Sequence, residues 1–364
     1  MTKHISDDIV FAADPHKVVS APDFSALDKL YAGRKAYYGD FHCHSNSGGN
    51  SDGHTTPEEW RKAMKELQID FIGLMDHRQV RHMYLDSFDP EYFVYGSEPG
   101  GYWNEPHLDF HYIMIVPEAD ALVRVLEQFP DVFEFTGGTE GTFVYKRIEK
   151  ARFFELIKAV EAEGGVVVHA HPKQVMQSDD PMDYYFGAGT VLETIYVCGT
   201  TEVLNKDTIA NYKLWTELLD RGCKVINTAT HDCHGTPGNY ALNTVYSDQK
   251  NGTAYMQYLK KGDLNAGGIG IKMSIDAHPV GSTAPYTPGS RLYLKLEDAH
   301  PAHYDEKETY RLEIITDRGI AYSSHISLPF RTAIEVQERK FYRAVIIRES
   351  DGAPAAIGNP IWLK

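Results

Sequence analysis

Short apolar runs recur along the first two thirds of the chain, and most run out into a histidine or a carboxylate. Tyr37-Tyr38 leads into Gly39-Asp40-Phe41-His42-Cys43-His44. Asp70-Phe71-Ile72-Gly73-Leu74-Met75 ends at Asp76-His77, and Tyr92-Phe93-Val94-Tyr95-Gly96 at Ser97-Glu98. His111 opens the run 112–116, Val166-Val167-Val168 enters His169-Ala170-His171-Pro172, and residues 224–229 lead into Thr230-His231-Asp232-Cys233-His234. Between these runs the apolar residues fall at helical spacing: Trp60, Met64 and Leu67; Phe153, Ile157 and Val160; Ile209, Tyr212, Trp215 and Leu219. Strands alternating with helices imply a parallel sheet. Polar residues at many carboxyl ends imply a barrel with its site on that face. An open doubly wound sheet would gather its ligands at one switch point, and here at least five strand ends contribute.

Local signals agree. In a strand, residues two apart face the same way, so His42 and His44 project together as a ready pair of metal ligands, with Cys43 opposed. The same alternation sets His169 beside His171 and turns His231 away from Asp232. Thr56-Pro57-Glu58-Glu59 carries an N-cap, a Pro at the first helical position and a Glu at the third. The loop before it, residues 45–53, is rich in Ser, Asn and Gly. Asp76 is read as a supporting carboxylate that holds a ligand His in one tautomer.

The net charge of −15 argues against a general affinity for nucleic acid or an anionic membrane. Three divalent cations would offset roughly +6 of it. The partner expected is a small anionic substrate. Cys43, Cys198, Cys223 and Cys233 have neither CxxC nor disulfide-framework spacing. No run is long enough to span a bilayer and no signal peptide is visible, so the expected location is cytoplasmic.

Residues 1–36 read as a polar arm in which Phe24, Leu27 and Leu30 form a short helix packed on the main domain. Residues 37–265 read as the α/β barrel. From 266 to 364 the pattern changes to short alternating runs, such as Arg291-Leu292-Tyr293-Leu294-Lys295-Leu296, separated by turns. This is read as a small antiparallel β-sandwich domain.

The ordered motifs resemble the PHP (polymerase and histidinol phosphatase) metallohydrolase family. They are Asp40-Phe41-His42-Cys43-His44, Ser51-Asp52-Gly53 with Pro57-Glu58-Glu59, Gly73-Leu74-Met75-Asp76-His77, Glu98, His111, Ala170-His171-Pro172 and Asp232-Cys233-His234-Gly235. The tail, Ala356-Ile357-Gly358-Asn359-Pro360-Ile361-Trp362, looks like the carbaryl-hydrolase-type branch. The resemblance implies a distorted (β/α)7, TIM-like barrel holding two or three divalent metal ions, commonly zinc, manganese or iron. The implied ligands are His42, His44, Asp52, His77, Glu98, His111, His171, Asp232 and His234, with Glu98 bridging two metals. It also implies hydrolysis by a metal-bridging hydroxide, with phosphoester cleavage leading and a carboxyl-ester, carbamate or amide as the alternative. A third reading is a non-catalytic metal-binding module. His169 or His231 would serve as general acid, since neither belongs to the implied ligand set. Arg78 and Lys173 each follow a ligand motif and would contact an anionic substrate. Asn243 stands where the tail branch often has Arg.

Overall fold

The computed structural model describes residues 5, 9 and 11–364, apart from 106, 201 and 237–241. Seven strands carry the site: β1 (Lys35–Cys43), β2 (Phe71–Leu74), β3 (Phe93–Ser97), β4 (Leu108–Val116), β5 (Val166–Ala170), β6 (Thr190–Tyr196) and β7 (Val225–Thr230). They hydrogen-bond in the order β7-β6-β5-β4-β3-β2-β1. The two ends of this run meet. Cys43 forms a parallel bridge with Cys233, just past β7, and the His44 N–H donates to the Cys233 carbonyl at 2.7 Å. Asn243 ties β7 to β1. Its Oδ1 accepts from Thr228 Oγ1 and Ala229 N–H at 2.7 and 2.8 Å, and its Nδ2 donates to the Ala229 and Gly39 carbonyls. A neutral amide with two acceptor sites and two donors suits that seam.

The strands are not all parallel, as the β/α alternation leads one to expect. β4 is antiparallel to both β3 and β5. The cause is the connection through residues 98–107, which folds back as a short strand, Gly101–Trp103, on β4 itself. A parallel return needs a crossover of a dozen or more residues, usually a helix.

Among the described residues the α-helices longer than four residues are α1 (Ser25–Leu30), α2 (Pro57–Leu67), α3 (Ala119–Gln128), α4 (Lys150–Ala162), α5 (Lys206–Asp220) and α6 (Gly252–Lys261). Helix α2 starts with a complete capping box. Thr56 Oγ1 accepts from the Glu59 N–H at 3.3 Å and Glu59 accepts from the Thr56 N–H at 2.9 Å. Its buried Trp60 donates to the His44 carbonyl at 3.0 Å, tying the helix to the end of β1. Helix α5 buries Tyr212, Trp215, Leu218 and Leu219, and Trp215 Nε1 donates to the Val225 carbonyl of β7 at 3.0 Å. β1 and β2 approach so closely that a Cβ at Gly39 would collide with the Phe71 carbonyl. No helix among the described residues is long and apolar enough to cross a membrane.

The C-terminal strands are β8 (Asn243–Ser247), β9 (Leu264–Gly267), β10 (Lys272–Ile275), β11 (Arg291–Leu296), β12 (Tyr310–Thr316), β13 (Gly319–Ile326), β14 (Phe330–Glu335), β15 (Phe341–Arg348) and β16 (Pro354–Gly358). Six of them do not begin a separate sheet. The sheet continues β1-β8-β9-β16-β15-β12-β13, and β9 runs through residues 265 and 266. A second sheet contains β10, β11 and β14. Met273, Ile275, Leu292 and Leu294 of that sheet share one apolar cluster with Leu312, Ile314, Ala344 and Ile346 of the first. Asn359 docks these strands on β7, accepting from the Asn227 N–H at 2.6 Å and donating to the Asn227 carbonyl at 3.1 Å.

The N-terminal arm packs on these later strands. Ala13 bridges Ile320, Val18 bridges Ile334, and Phe24, Leu27 and Tyr31 pack with Tyr246, Tyr293 and Ala333. Arg339 pins the arm by donating to both oxygens of Asp14 at 2.6 and 2.7 Å, which lowers the Asp14 carboxyl from 3.8 to about 2. Because the folded pKa lies below the unfolded one, this contribution is present above pH 4 and is lost as pH falls toward 2. We expect Arg339→Met to cost about 1 kcal/mol at pH 7, discounted for the pair's closeness to solvent. In urea unfolding the gap from wild type should narrow as pH drops from 4 to 2. A gap independent of pH would refute the assignment.

Candidate metal centre

The ends of these strands bring nine side chains together. Glu98, one residue past β3 and 1% exposed, stands at the middle. Its Oε1 lies 2.8 Å from His111 Nδ1 and 3.2 Å from His171 Nε2. Its Oε2 lies 3.2 Å from His42 Nε2, 3.3 Å from His77 Nδ1 and 3.4 Å from His44 Nε2. Asp232 Oδ1 is 2.9 Å from His44 Nε2 and 3.3 Å from His42 Nε2. Asp52, on the loop before α2, sets Oδ2 3.4 Å from His234 Nε2 and 3.5 Å from His77 Nε2. The donors form three overlapping groups: His44, Asp52, His77 and His234; His42, His44, Glu98 and Asp232; Glu98, His111 and His171.

The donor set fits divalent cations. Around a cation with bonds of about 2.1 Å, neighbouring donors sit ~3.0 Å apart in an octahedron and ~3.4 Å apart in a tetrahedron. The separations just given run from 2.8 to 3.5 Å and so bracket that range. His42 Nε2 and His44 Nε2 face each other at 3.2 Å. The Nδ1 atoms of His44 and His171 are buried without hydrogen-bond partners. Six imidazoles, three carboxylates and no thiolate match metals that accept N and O donors.

The electrostatics follow from burial and crowding. Burial pushes the Glu98 carboxyl up, yet the imidazoles of His42, His111 and His171 hold it well below the usual carboxylate range. Burial likewise raises Asp232, and His42 and His44 pull it far down. Burial lowers His44, but its bonds to Asp232 and Glu98 bring it up to about 9. Such protons on ring nitrogens are the ones a cation displaces on binding. The backbone is strained at the same place. Arg78, His171 and Asp232 have φ of 49°, 27° and 51°, each at or beside a donor. Non-glycine residues held there cost about 1–3 kcal/mol each and persist where the surroundings over-determine them.

Other expected roles change. His169 does not face the donors. Its ring stacks on Phe186 at 4.5 Å and 10°, and Nδ1 lies 3.4 Å from the Tyr184 carbonyl. Strand alternation fails because β5 stops at Ala170, and His171 follows in a left-handed turn rather than an extended one. Burial lowers His169 to about 3, so it carries no proton to give near neutrality. We expect His169→Phe to leave any turnover at this centre unchanged, whereas loss of a general acid would slow it about 100-fold or more. Steady-state rates with the best substrate decide this.

Lys173 does not point at an anion site. Its Nζ donates to Tyr184 OH and the Ser178 carbonyl at 2.9 and 3.0 Å, and lies over the Tyr184 ring. Arg78 is exposed, and its backbone N–H donates to the Glu98 carbonyl at 3.2 Å. His231 is buried, its N–H donates to Asp40 Oδ2 at 2.8 Å, and it belongs to none of the three donor groups. Asp76 holds no ligand His. It accepts from Ser45 N–H at 2.6 Å, Ser45 Oγ at 2.7 Å and Ser47 Oγ, and so orders the loop that leads to Asp52.

Sequence reasoning missed Glu193 and Tyr196 of β6. Tyr196 OH donates to Asp232 Oδ2 at 2.9 Å. Glu193 is 1% exposed and approaches His42 Nδ1 at 2.8 Å. The available signal was an acidic residue inside the otherwise apolar run Thr190-Val191-Leu192-Glu193-Thr194-Ile195-Tyr196.

No protein-family model and no curated protein matches the chain. Among solved structures it is similar to a protein assigned as a metal-dependent phosphoesterase from Bifidobacterium adolescentis. The identity is 16% and the TM-score 0.38, over 61% of this chain and 96% of that one. It is also similar to an amidohydrolase from Chromobacterium violaceum, at 14% identity and TM-score 0.33, over 55% and 88% of the two chains. A third is the lesion-specific endonuclease PfuEndoQ from Pyrococcus furiosus, at 11% identity and TM-score 0.40. That match covers 61% of this chain and 56% of the endonuclease, so the chain spans little more than half its length. Likenesses this distant assign neither family nor chemistry.

Proposed function

We propose that the protein is a metal-dependent hydrolase acting on a small anionic phosphoester. The observation that carries this reading is the convergence of nine N and O donors in three groups, the first two joined by His44 and the last two by Glu98. Only three of those donors are carboxylates, so three divalent ions would leave a net charge of about +3, enough to draw in an anionic ester without a lysine or arginine. Ions held there would lower the pKa of water and neutralise charge developing on an oxyanion. The chain's own part is to position. Glu98 spaces two donor groups, the Tyr196 hydroxyl orients Asp232, and Asp76 orders the loop bearing Asp52. The overall charge of −15 supports a small molecule over nucleic acid. Reading β1 to β7 as a distorted seven-stranded barrel is supported by the Cys43–Cys233 bridge, and reading the tail as a sandwich by its shared apolar cluster.

A second reading, hydrolysis of a carboxyl ester, carbamate or amide, is favoured by the turning of Lys173 toward Tyr184. A phosphate dianion gains from inward cations, and a neutral carbonyl does not need them. The test is a head-to-head assay of manganese- or zinc-loaded protein on a p-nitrophenyl phosphate and a p-nitrophenyl acyl ester, with Asp232→Asn as control. Phosphate turnover that vanishes in the variant supports the first reading. Ester turnover with the same control selects the second. A chain that binds no divalent ion refutes both.

A further inference from the structure

We propose that Glu193 is a positioning residue that sets which ring nitrogen of His42 faces the donor groups and holds His171 in its left-handed turn. The inference rests on the metal-dependent reading for its consequence, but its geometry stands by itself. One carboxylate reaches two donors on two different strand ends. Glu193 Oε1 lies 2.8 Å from His42 Nδ1, past the middle of β1, and Oε2 accepts from the His171 N–H at 2.6 Å, just beyond β5. All three residues are nearly inaccessible to solvent.

An ionised carboxylate can only accept, so the bond at His42 Nδ1 requires a proton on that nitrogen. In the neutral ring Nε2 is then left with its lone pair directed at Glu98, Asp232 and His44. The opposite tautomer would aim an N–H at the place a cation must occupy, and a lone pair at the Glu193 oxygen. The second bond serves the fold of the site. His171 sits at φ 27°, ψ 60°, a conformation strained for a residue with a Cβ. A charge-assisted bond to its buried N–H helps offset that strain. The same carboxylate therefore couples the donor group containing His42 to the one containing His171.

A bulge places the residue. Thr228 of β7 pairs with Glu193, but the next residue, Ala229, pairs with Ile195, so Thr194 is the extra residue in β6. The shift resets the alternation. Glu193 and Tyr196, three apart, both reach the donor cluster, which a regular strand would forbid.

The test uses the full chain. Metal content after dialysis and stepwise titration with manganese or zinc are measured for wild type, Glu193→Gln and Glu193→Asp. Glutamine keeps one acceptor and turns an NH2 toward one of the two donors, so one bond must fail. We expect metal affinity in Glu193→Gln to fall 10- to 100-fold, the usual effect of losing a partner that orients a ligand. The far-UV CD should be unchanged, and Glu193→Asp should recover part of the loss. Unaltered affinity in a folded Glu193→Gln variant overturns the proposal. Independently, long-range 1H–15N correlation on the metal-free wild type, at a pH high enough that the His42 ring is neutral, reports which of its nitrogens keeps the proton. A proton on Nδ1 supports the assignment, and an Nε2-only proton overturns it. This second readout stands even if Glu193→Gln fails to fold. It also separates the two ideas: a wild type that binds no ion but protonates Nδ1 refutes the hydrolase reading and leaves the positioning intact.

Discussion

Glu98→Gln is expected to leave the chain folded and to strip it of metal. The reason is the number of partners on one carboxylate. Its two oxygens face five imidazoles, His111 and His171 on one side and His42, His44 and His77 on the other. The amide would remove the charge from two donor groups at once and turn an NH2 toward nitrogens that must themselves donate electron pairs. Loss of a partner that merely orients a ligand costs about 10–100-fold in affinity, so loss of a shared ligand should exceed about 100-fold. Metal analysis after dialysis should show at least one ion fewer per chain, and hydrolysis should fall with it. Asp52→Asn makes the contrast. Asp52 is on a loop, its side chain is half exposed, and it belongs to one donor group. Its loss should weaken one binding step and spare the others. Equal damage from the two variants would refute the central placing of Glu98.

The largest effect on stability is expected at Arg343. This cation is fully buried in β15, under helix α5. It donates to Tyr212 OH at 2.9 Å and to Thr216 Oγ1 at 3.2 Å, and lies 4.7 Å from the centre of the Trp215 ring. Arg343→Ala removes those bonds and opens a cavity, for about 4 kcal/mol in all. Arg343→Met keeps most of the packing and should cost about half as much. Urea unfolding at neutral pH measures both. A loss below about 1 kcal/mol for the alanine variant would show that the guanidinium is not what fastens the C-terminal strands to α5.

What could be read from the sequence follows the limits of periodicity. His42 and His44 were legible because both rings meet at the donor cluster, as their two-residue spacing suggests, even though β1 carries an irregularity between Asp40 and Cys43. The helix over Pro57–Leu67 was legible because its cap is written in adjacent residues. Alternation misled at His169, because the strand ends one residue before His171 and the chain turns with positive φ. It could not find the pairing of Glu193 with Tyr196, because a bulge is a property of two strands in register and not of one. The reversal of β4 was hidden for a similar reason: it depends on how residues 98–107 fold back, and the runs flanking them look alike in either direction. Lys173 shows the general difficulty. Its position after a ligand motif suggests an anion contact, and its partner, Tyr184, is identified only by the fold.

The unbroken run of strands from β1 through β8 and β9 to β16 bears on how such a chain can be divided. A fragment ending at residue 265 would cut β9 in half and leave its outer backbone groups, now satisfied by β16, without partners. Bare edges of this kind recruit strands from other molecules. Limited proteolysis should therefore find no stable core ending there, and an expression screen of truncations should recover soluble protein only when the last strands are kept. The tail is the lid on an edge, so the site-bearing segment and its tail can be transplanted into another protein together but not apart.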